Sequence, residues 1–343
     1  MKRWINKPEG SNWGVYGEND QVGRINLITQ ERRLKAIKEV EKGLIFSLSM
    51  PLDYPGGDLH PPFRHPPKLS STLGEHNLDI AKVYGSMSVP DIANDDRVTL
   101  CTQYSTQWDA LCHIGCQFDS TDEGKTSAVY YNGYKANIDV VTSDIDGNSN
   151  AKALGINKLA EVGVQGRAIL VNFHKIYGQK KVLIGYDELT EALESQNVSV
   201  QQGDILCIYT GFADMVMSMN KNPDSQLLRG SFCDLNGYDK RLLQWITDSG
   251  ISAICSDNQA VECHPDTYSS FNLVPHVESD NRVFFPLHQH CLFKLGIHLG
   301  ELWYFKDLAE WLDVNNRSSF LLTAPPLNLP GAVGSPVTPI ATV

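Results

Sequence analysis

Short apolar segments alternate with helical patterns through the middle of this 343-residue chain. The segments 167–172, 203–211 and 251–256 are rich in Ile, Leu, Val and Cys and are typical of buried strands. Between them, 186–196 and 239–250 repeat apolar residues with the period of an amphipathic helix. Strands that alternate with helices predict an α/β protein whose sheet is partly covered by helices.

The chain shows no internal repeat and no clear linker, so we predict a single domain over residues 1–343. Residues 1–50 form an N-terminal arm, in which Thr29 is the expected N-cap of a helix. Residues 51–75 form a proline-rich loop of a length that is typical of lids and binding loops. Residues 324–343, rich in Pro and Gly, are expected to form an irregular tail wrapped on the body.

Composition excludes several classes of partner. The formal net charge is -11, which argues against binding to nucleic acid or to an anionic membrane. No apolar run is long enough to span a bilayer, and the charged start of the chain is unlike a secretory signal, so we expect a cytoplasmic protein. The 8 cysteines are scattered, which favours reduced thiols.

The richest polar motif runs from Gln103 to His113. It places a carboxylate, Asp109, four residues before an imidazole, and it includes Trp108 and a second amide, Gln107. In a turn-rich segment, such side chains can converge on a metal ion or on a substrate carbonyl. Amides are weak metal ligands, so the motif leaves open whether this is a metal site.

Two later segments also carry polar residues where α/β proteins place their chemistry, at the ends of strands. The stretch 257–262 follows the strand predicted at 251–256, and a third segment contains His288, His290 and Glu301. Apolar neighbours indicate that Glu301 is buried, and a buried carboxylate needs a partner such as one of the two histidines.

Each of these residues also has an ordinary structural explanation. A histidine on an apolar element is more often a core residue than a ligand, and Asp257 is also suited to capping a turn. The histidines of the proline-rich loop, His60 and His65, are more typical of exposed loop residues than of a catalytic site.

Taken in order, these motifs resemble the cyclase family of metal-dependent hydrolases, which includes bacterial kynurenine formamidases and isatin hydrolases. The family motif His-x-Gly-Thr-His-x-Asp-x3-His falls on residues 103–113, where both of its first two histidines are glutamine. The stretches 23–28, 203–211 and 296–301 are similar to other parts of the family, so the resemblance covers nearly the whole chain. The Gln-x3-Gln-Trp-Asp-x3-His form resembles a long-chain branch.

The resemblance implies a swivelling β/β/α fold with a mixed sheet, and a homodimer or homotetramer. It also implies that Asp109 is a metal ligand and that His113, His288 and Glu301 are catalytic. His288 fits the spacing to Glu301 better than His290, which stays a weaker candidate ligand.

Two mechanisms remain open for this site. In the first, one divalent metal, Mn or Zn, is held by Asp109 with Gln107 and Gln103 as weak ligands, and it activates water. In the second, no metal is bound, His288 oriented by Glu301 activates water, and the two amides donate to the developing oxyanion.

We therefore expect a hydrolase of a carbonyl-centred C–N or C–O bond, as in a formamide, a cyclic amide or a lactone. The aromatic residues Trp108, Tyr104 and Tyr131 favour a small aromatic or cyclic substrate. The alternatives are a cyclase, isomerase or dehydratase on the same fold, or a non-catalytic binding protein. A serine hydrolase and a nucleotide-binding enzyme are disfavoured because their glycine-rich motifs are absent from the sequence.

Overall fold

A computed structural model describes residues 3–74, 85, 90–141, 151–270 and 283–343. The last residue of the predicted proline-rich loop, 75, lies outside these ranges. The strands, in chain order, are β1 (Ile45–Ser47), β2 (Lys68–Ser71), β3 (Asp96–Thr99), β4 (Gln107–Asp109), β5 (Cys116–Phe118), β6 (Ser127–Val129), β7 (Gln165–Asn172), β8 (Val182–Ile184), β9 (Ile205–Tyr209), β10 (Cys233–Leu235), β11 (Ala253–Ser256), β12 (His298–Glu301), β13 (Ser319–Thr323), β14 (Gly334–Pro336) and β15 (Ile340–Thr342).

The helices flank these strands, and none among the described residues is long and apolar enough to cross a membrane. They are α1 (Gln30–Ala36), α2 (Ile156–Val162), α3 (Phe173–Tyr177), α4 (Tyr186–Ser195), α5 (Phe212–Ser218), α6 (Ser225–Arg229), α7 (Lys240–Ser249), α8 (Pro265–Ser270), α9 (Pro286–His288) and α10 (Lys306–Val314). Within the described ranges, 3-10 helices span Gly23–Leu27, Ile37–Glu39 and Tyr131–Gly133, and a π-helix, Gln289–Leu295, continues α9.

A mixed sheet of nine strands, in the order β1-β15-β13-β7-β9-β11-β12-β4-β14, forms the centre of the described structure. Its middle strands β7, β9, β11 and β12 are parallel, whereas β13 and β4 pair with them in the antiparallel sense on either side. Every residue of β9 and β11 is buried, as expected for parallel strands covered on both faces. This arrangement confirms the predicted α/β fold with a mixed sheet.

Local predictions from the sequence also agree with several elements. Thr29 caps α1, since its hydroxyl oxygen accepts a hydrogen bond from the main-chain N–H of Arg32 at 3.3 Å. Helices α4 and α7 fall where the apolar periodicity predicts them, and Leu242 and Ile246 on α7 face the core. All eight cysteines are free thiols.

The C-terminal stretch differs from its prediction as an irregular tail. Strand β14 pairs with β4 at one edge of the sheet, and β15 lies between β1 and β13 near the other edge. The stretch therefore wraps the body by adding two strands to the main sheet, which gives its backbone groups partners that a loop would lack.

The polar motif also departs from its prediction as part of a turn-rich segment. Strand β3 pairs with β2 outside the main sheet, whereas Gln107–Asp109 forms β4 within the main sheet. Side chains alternate along a strand, so Gln107 and Asp109 share one face and Trp108 points to the other. In the antiparallel pair, Glu301 of β12 lies opposite Gln107.

Candidate active site

Asp109, His288 and Glu301 converge at one end of the sheet, and the candidate ligand atoms of the three residues all lie within 4.8 Å of one another. His288 Nε2 is 3.2 Å from Glu301 Oε1 and 3.8 Å from Asp109 Oδ2. All three side chains are buried. A carboxylate, an imidazole and a second carboxylate at this spacing form a set of donors that can hold one divalent cation.

The sheet and one short helix bring these residues together. Asp109 ends β4 and Glu301 ends β12, so the pairing of these two strands fixes the two carboxylates relative to each other. His288 ends α9, which begins with Pro286, a residue favoured in the first turn of a helix because it has no N–H to satisfy.

Glu262 fixes the orientation of the His288 imidazole. Its Oε1 lies 2.7 Å from His288 Nδ1 and accepts the main-chain N–H of His288 at 2.8 Å, while its Oε2 accepts that of Leu287 at 3.0 Å. Sequence reasoning included Glu262 only as the last residue of the polar stretch 257–262 and gave it no role. Its position after β11 was a signal, but its partners lie 25 and 26 residues further along the chain.

The imidazole of His288 is charged in this arrangement. Each ring nitrogen faces a carboxylate, Glu262 at Nδ1 and Glu301 at Nε2, so each nitrogen needs a proton to donate. Burial lowers the pKa of His288, but these hydrogen bonds and negative charges outweigh it and raise the pKa to about 10. An imidazolium held in this way cannot accept a proton, so His288 is not a general base in this state.

The carboxyl group of Asp109 is buried and has no hydrogen-bond donor among the described residues. Both of its oxygens are inaccessible and have no hydrogen-bond partner in the described structure, and the same holds for Gln107 Oε1. Burial, reinforced by the negative charge of Glu301, raises the pKa of Asp109 well above its usual range. Unpaired acceptors are costly inside a protein, and a bound cation would satisfy them.

The two glutamines of the motif support neighbouring site residues. Gln107 Nε2 donates to Glu301 Oε2 at 2.8 Å. Gln103 Nε2 lies 3.4 Å from His113 Nδ1, and its Oε1 accepts from the hydroxyl of Thr102 at 2.8 Å. Since the oxygen of Gln103 is already used as an acceptor, its amide nitrogen is the group that faces His113.

His113 is an uncharged imidazole beside the cluster. Because Gln103 donates to Nδ1, the ring proton lies on Nε2, which is 3.9 Å from Asp109 Oδ2. Burial and the positive charges of His288 and Arg64 lower the pKa of His113 to about 3. His113 is thus an uncharged hydrogen-bond donor at neutral pH, with its N–H at Nε2.

A cavity of about 860 Å³ opens onto this cluster. Its wall includes His113, His288 and Glu301, and residues 57–66 of the proline-rich loop form another part of it.

His60 in that loop is buried, unlike the exposed loop histidine expected from the sequence. Its Nε2 donates to the carbonyl of Tyr104 at 2.6 Å and its Nδ1 accepts from Gln259 at 3.2 Å, which fixes an uncharged ring.

Four of the residues considered from the sequence lie outside both the cavity wall and the cluster. His290 contacts Thr247 on α7, with 2.9 Å between Nε2 and Oγ1. Trp108 and Tyr131 are fully buried core side chains, and β4 turns Trp108 away from the site face. The hydroxyl of Tyr104 accepts from the N–H of Gly56 at 3.1 Å.

The comparisons with known proteins agree with this fold. The sequence profile of the Cyclase family matches residues 46–263, which is more than half of the chain. The chain therefore belongs to the Cyclase family. A comparison with curated protein sequences gave no significant match.

Solved structures extend this similarity to nearly the whole chain. A crystal structure of a novel cyclase is 29% identical, with a TM-score of 0.77, and the match covers 97% of each chain. Isatin hydrolase A from Labrenzia aggregata, bound to benzyl benzoate, is 12% identical with a TM-score of 0.53, over 92% of this chain and 99% of that chain. The enzyme of the same name from Ralstonia solanacearum is 13% identical with a TM-score of 0.54, over 91% and 97%. At 12% and 13% identity the likeness concerns the fold.

Proposed function

We propose that this protein is a metal-dependent hydrolase of a carbonyl-centred C–N or C–O bond, such as that of a formamide, a cyclic amide or a lactone. The observation that carries the proposal is the buried carboxylate of Asp109, whose unpaired oxygens face the imidazole of His288 and the carboxylate of Glu301. Family membership supports it, and so does the fold shared with isatin hydrolases.

The donor set fits a divalent cation. Asp109, His288 and Glu301 would hold it, with Gln107 Oε1 as a further oxygen donor that has no partner in the described structure. His288 would bind through Nε2, which would give up the proton that it carries when no cation is bound. Two carboxylates and one imidazole suit Mn or Zn. When bound, such an ion polarises a carbonyl oxygen and lowers the pKa of water.

The surrounding residues orient this donor set. Glu262 accepts a hydrogen bond from the Nδ1–H of His288, which turns Nε2 toward the two carboxylates, and many metal-binding histidines have such a partner. Gln107 donates to one oxygen of Glu301 and leaves the other toward His288. The motif glutamines thus have a supporting role that does not require them to be ligands.

His113 is an uncharged hydrogen-bond donor in the cavity wall. It lines the cavity and has its ring proton on Nε2, held there by Gln103 at Nδ1. From Nε2 it can donate a hydrogen bond to the carbonyl oxygen or to the leaving atom, where negative charge develops in the transition state, while the attacking water supplies the proton that the leaving group takes up. Its lowered pKa keeps the ring in this uncharged form at neutral pH.

The residues that line the cavity favour a small molecule with an apolar body. Phe63, Phe212 and Phe285 line it together with Leu59 and Ile114. These residues, rather than the aromatic residues near the motif, would contact an aromatic or cyclic substrate. Pockets with apolar walls and a few convergent polar groups are typical of small-molecule sites.

The alternative, a metal-free cyclase, isomerase or dehydratase in which His288 is the base, requires an imidazole that can accept a proton. The two carboxylates at its nitrogens oppose that role. Turnover of a panel of formamides, cyclic amides and lactones in ¹⁸O-labelled water distinguishes the two. A hydrolase incorporates one labelled oxygen into the acid product, and Asp109→Asn abolishes this turnover. Turnover without label, or label incorporation by Asp109→Asn, would reject the proposal.

A further inference from the structure

Arg64 is a half-buried cation in the wall of the cavity. It lies in the proline-rich loop and faces the same space as His113 and Glu301. Its main-chain N–H donates to Pro61, but its guanidinium makes no hydrogen bond or ion pair with any residue that the structure describes. Five N–H donors are therefore available on one planar group inside the cavity.

The other lysine and arginine of the wall are placed differently. Lys181 forms an ion pair with Asp234 and a second contact with the carbonyl of Ser231, so its charge is already compensated. Arg229 is exposed. Arg64 is thus the half-buried cation of this wall that has no counter-ion among the described residues.

The positive charge of Arg64 acts on the candidate active site. It contributes to lowering the pKa of His113, after burial and the charge of His288, and it opposes the rise in the pKa of Asp109. A group bound at Arg64 would therefore lie in the same cavity as the reacting carbonyl, whose wall also includes the apolar residues Phe63 and Phe285.

We propose that Arg64 binds a carboxylate of the substrate, so that the substrate is a carboxylic acid with an apolar body and a separate scissile carbonyl. The presence of a scissile carbonyl in this substrate rests on the proposed function. The binding of its carboxylate at Arg64 does not. A guanidinium fits a carboxylate with two parallel hydrogen bonds, and its weak hydration suits a partly buried position. Phe212 and Leu59 would contact the apolar body.

Binding of two matched probes tests this without turnover. We would titrate 3-phenylpropanoate and 3-phenylpropanamide into the full-length protein by calorimetry. The wild type is expected to bind the carboxylate about 10- to 100-fold more tightly than the amide, which is the range for a hydrogen bond to a charged group. Arg64→Gln should remove that preference, and Arg64→Lys should restore part of it.

Two variants give the controls. Arg33→Gln changes another half-buried arginine, on α1 and outside the cavity wall, and should leave the preference unchanged. Asp109→Asn should also retain it, because the carboxylate is held by the loop and not by the metal-ligand cluster. Equal binding of the two probes by the wild type overturns the inference, as does a preference that persists in Arg64→Gln or disappears in Asp109→Asn. Failure of hydrolysis alone would reject the proposed function and leave this result unaffected.

Discussion

His288 Nδ1 lies 2.7 Å from Glu262 Oε1, and the same oxygen accepts the main-chain N–H of His288 at 2.8 Å. One carboxylate thus fixes both the ring and the end of the short helix that carries it. This geometry directs Nε2 toward Glu301 and Asp109. Glu262 is therefore a positioning residue, which acts on the site through the orientation and basicity of His288.

Glu262→Gln should weaken metal binding by about 10- to 100-fold, the usual cost of losing a partner behind a metal ligand. Both oxygens of Glu262 accept hydrogen bonds, from the N–H groups of His288 and of Leu287. An amide has only one oxygen, so at least one of these N–H groups would face the NH₂ group of the new side chain. Calorimetric titration with Mn²⁺ and Zn²⁺ measures the effect. Glu310→Gln, an exposed carboxylate on α10, is the control. An affinity equal to the wild type would show that Glu262 does not position His288.

Gln107→His should raise the affinity for Zn²⁺ by about 10-fold, because an imidazole is a stronger ligand than an amide for this ion. The side chain shares the site face of β4 with Asp109 and contacts Glu301. The same titration measures it, with Gln117→His on the exposed face of β5 as a control for added surface histidine. Equal affinities for the two variants would mean that position 107 does not reach the metal.

Trp108→Phe should lower the free energy of unfolding by about 2 kcal/mol, through lost packing and a lost hydrogen bond. Trp108 is fully buried, packs edge-on against Trp303 at 5.1 Å, and donates from Nε1 to the carbonyl of Ala324 at 2.8 Å. Urea denaturation measures the loss. The KM of the variant should match the wild type, and a large rise in KM with unchanged stability would assign Trp108 to the substrate site instead.

Acid should destabilise the fold through buried, uncharged histidines. Burial, helped by the charge of Lys294, lowers the pKa of His290 to about 4 in the folded protein, against an ordinary value of 6.5. The unfolded chain therefore takes up the proton first. The stability present above pH 6.5 falls as the pH drops toward 4, by up to about 3 kcal/mol for this residue.

His290→Asn should flatten that part of the pH profile. Urea denaturation of the wild type and the variant at several pH values between 7 and 4 tests this. As the pH falls, the free energy of unfolding of the wild type should decrease more than that of the variant. A difference that stays constant over this interval would show that His290 does not titrate in the way described.

The sequence was sufficient for the α/β fold because its middle segments have the length and apolar content of buried strands. The order of its motifs also indicated that Asp109, His288 and Glu301 belong together. The face of Trp108 could not be predicted, since β4 is only three residues long and follows a turn-rich run. A strand of that length is defined by its pairing with β12 and β14, which is a tertiary property.

Glu262 and Arg64 were missed for related reasons. Glu262 is far in sequence from His288, the histidine that it orients. A contact between a loop and the end of a helix cannot be predicted from residue spacing or composition. Arg64 lies among prolines and looks like an ordinary exposed loop residue until the loop is placed against the cavity. Both residues act through a fold that places distant segments side by side.

Elemental analysis tests the central claim most directly. Wild-type protein and Asp109→Asn would be purified in parallel without chelator or added metal. The proposed site predicts about one Mn or Zn ion per wild-type chain and only a small fraction of that in the variant. A wild-type protein without bound metal, even after incubation with excess Mn²⁺ and Zn²⁺ and removal of the free ions, would contradict the account.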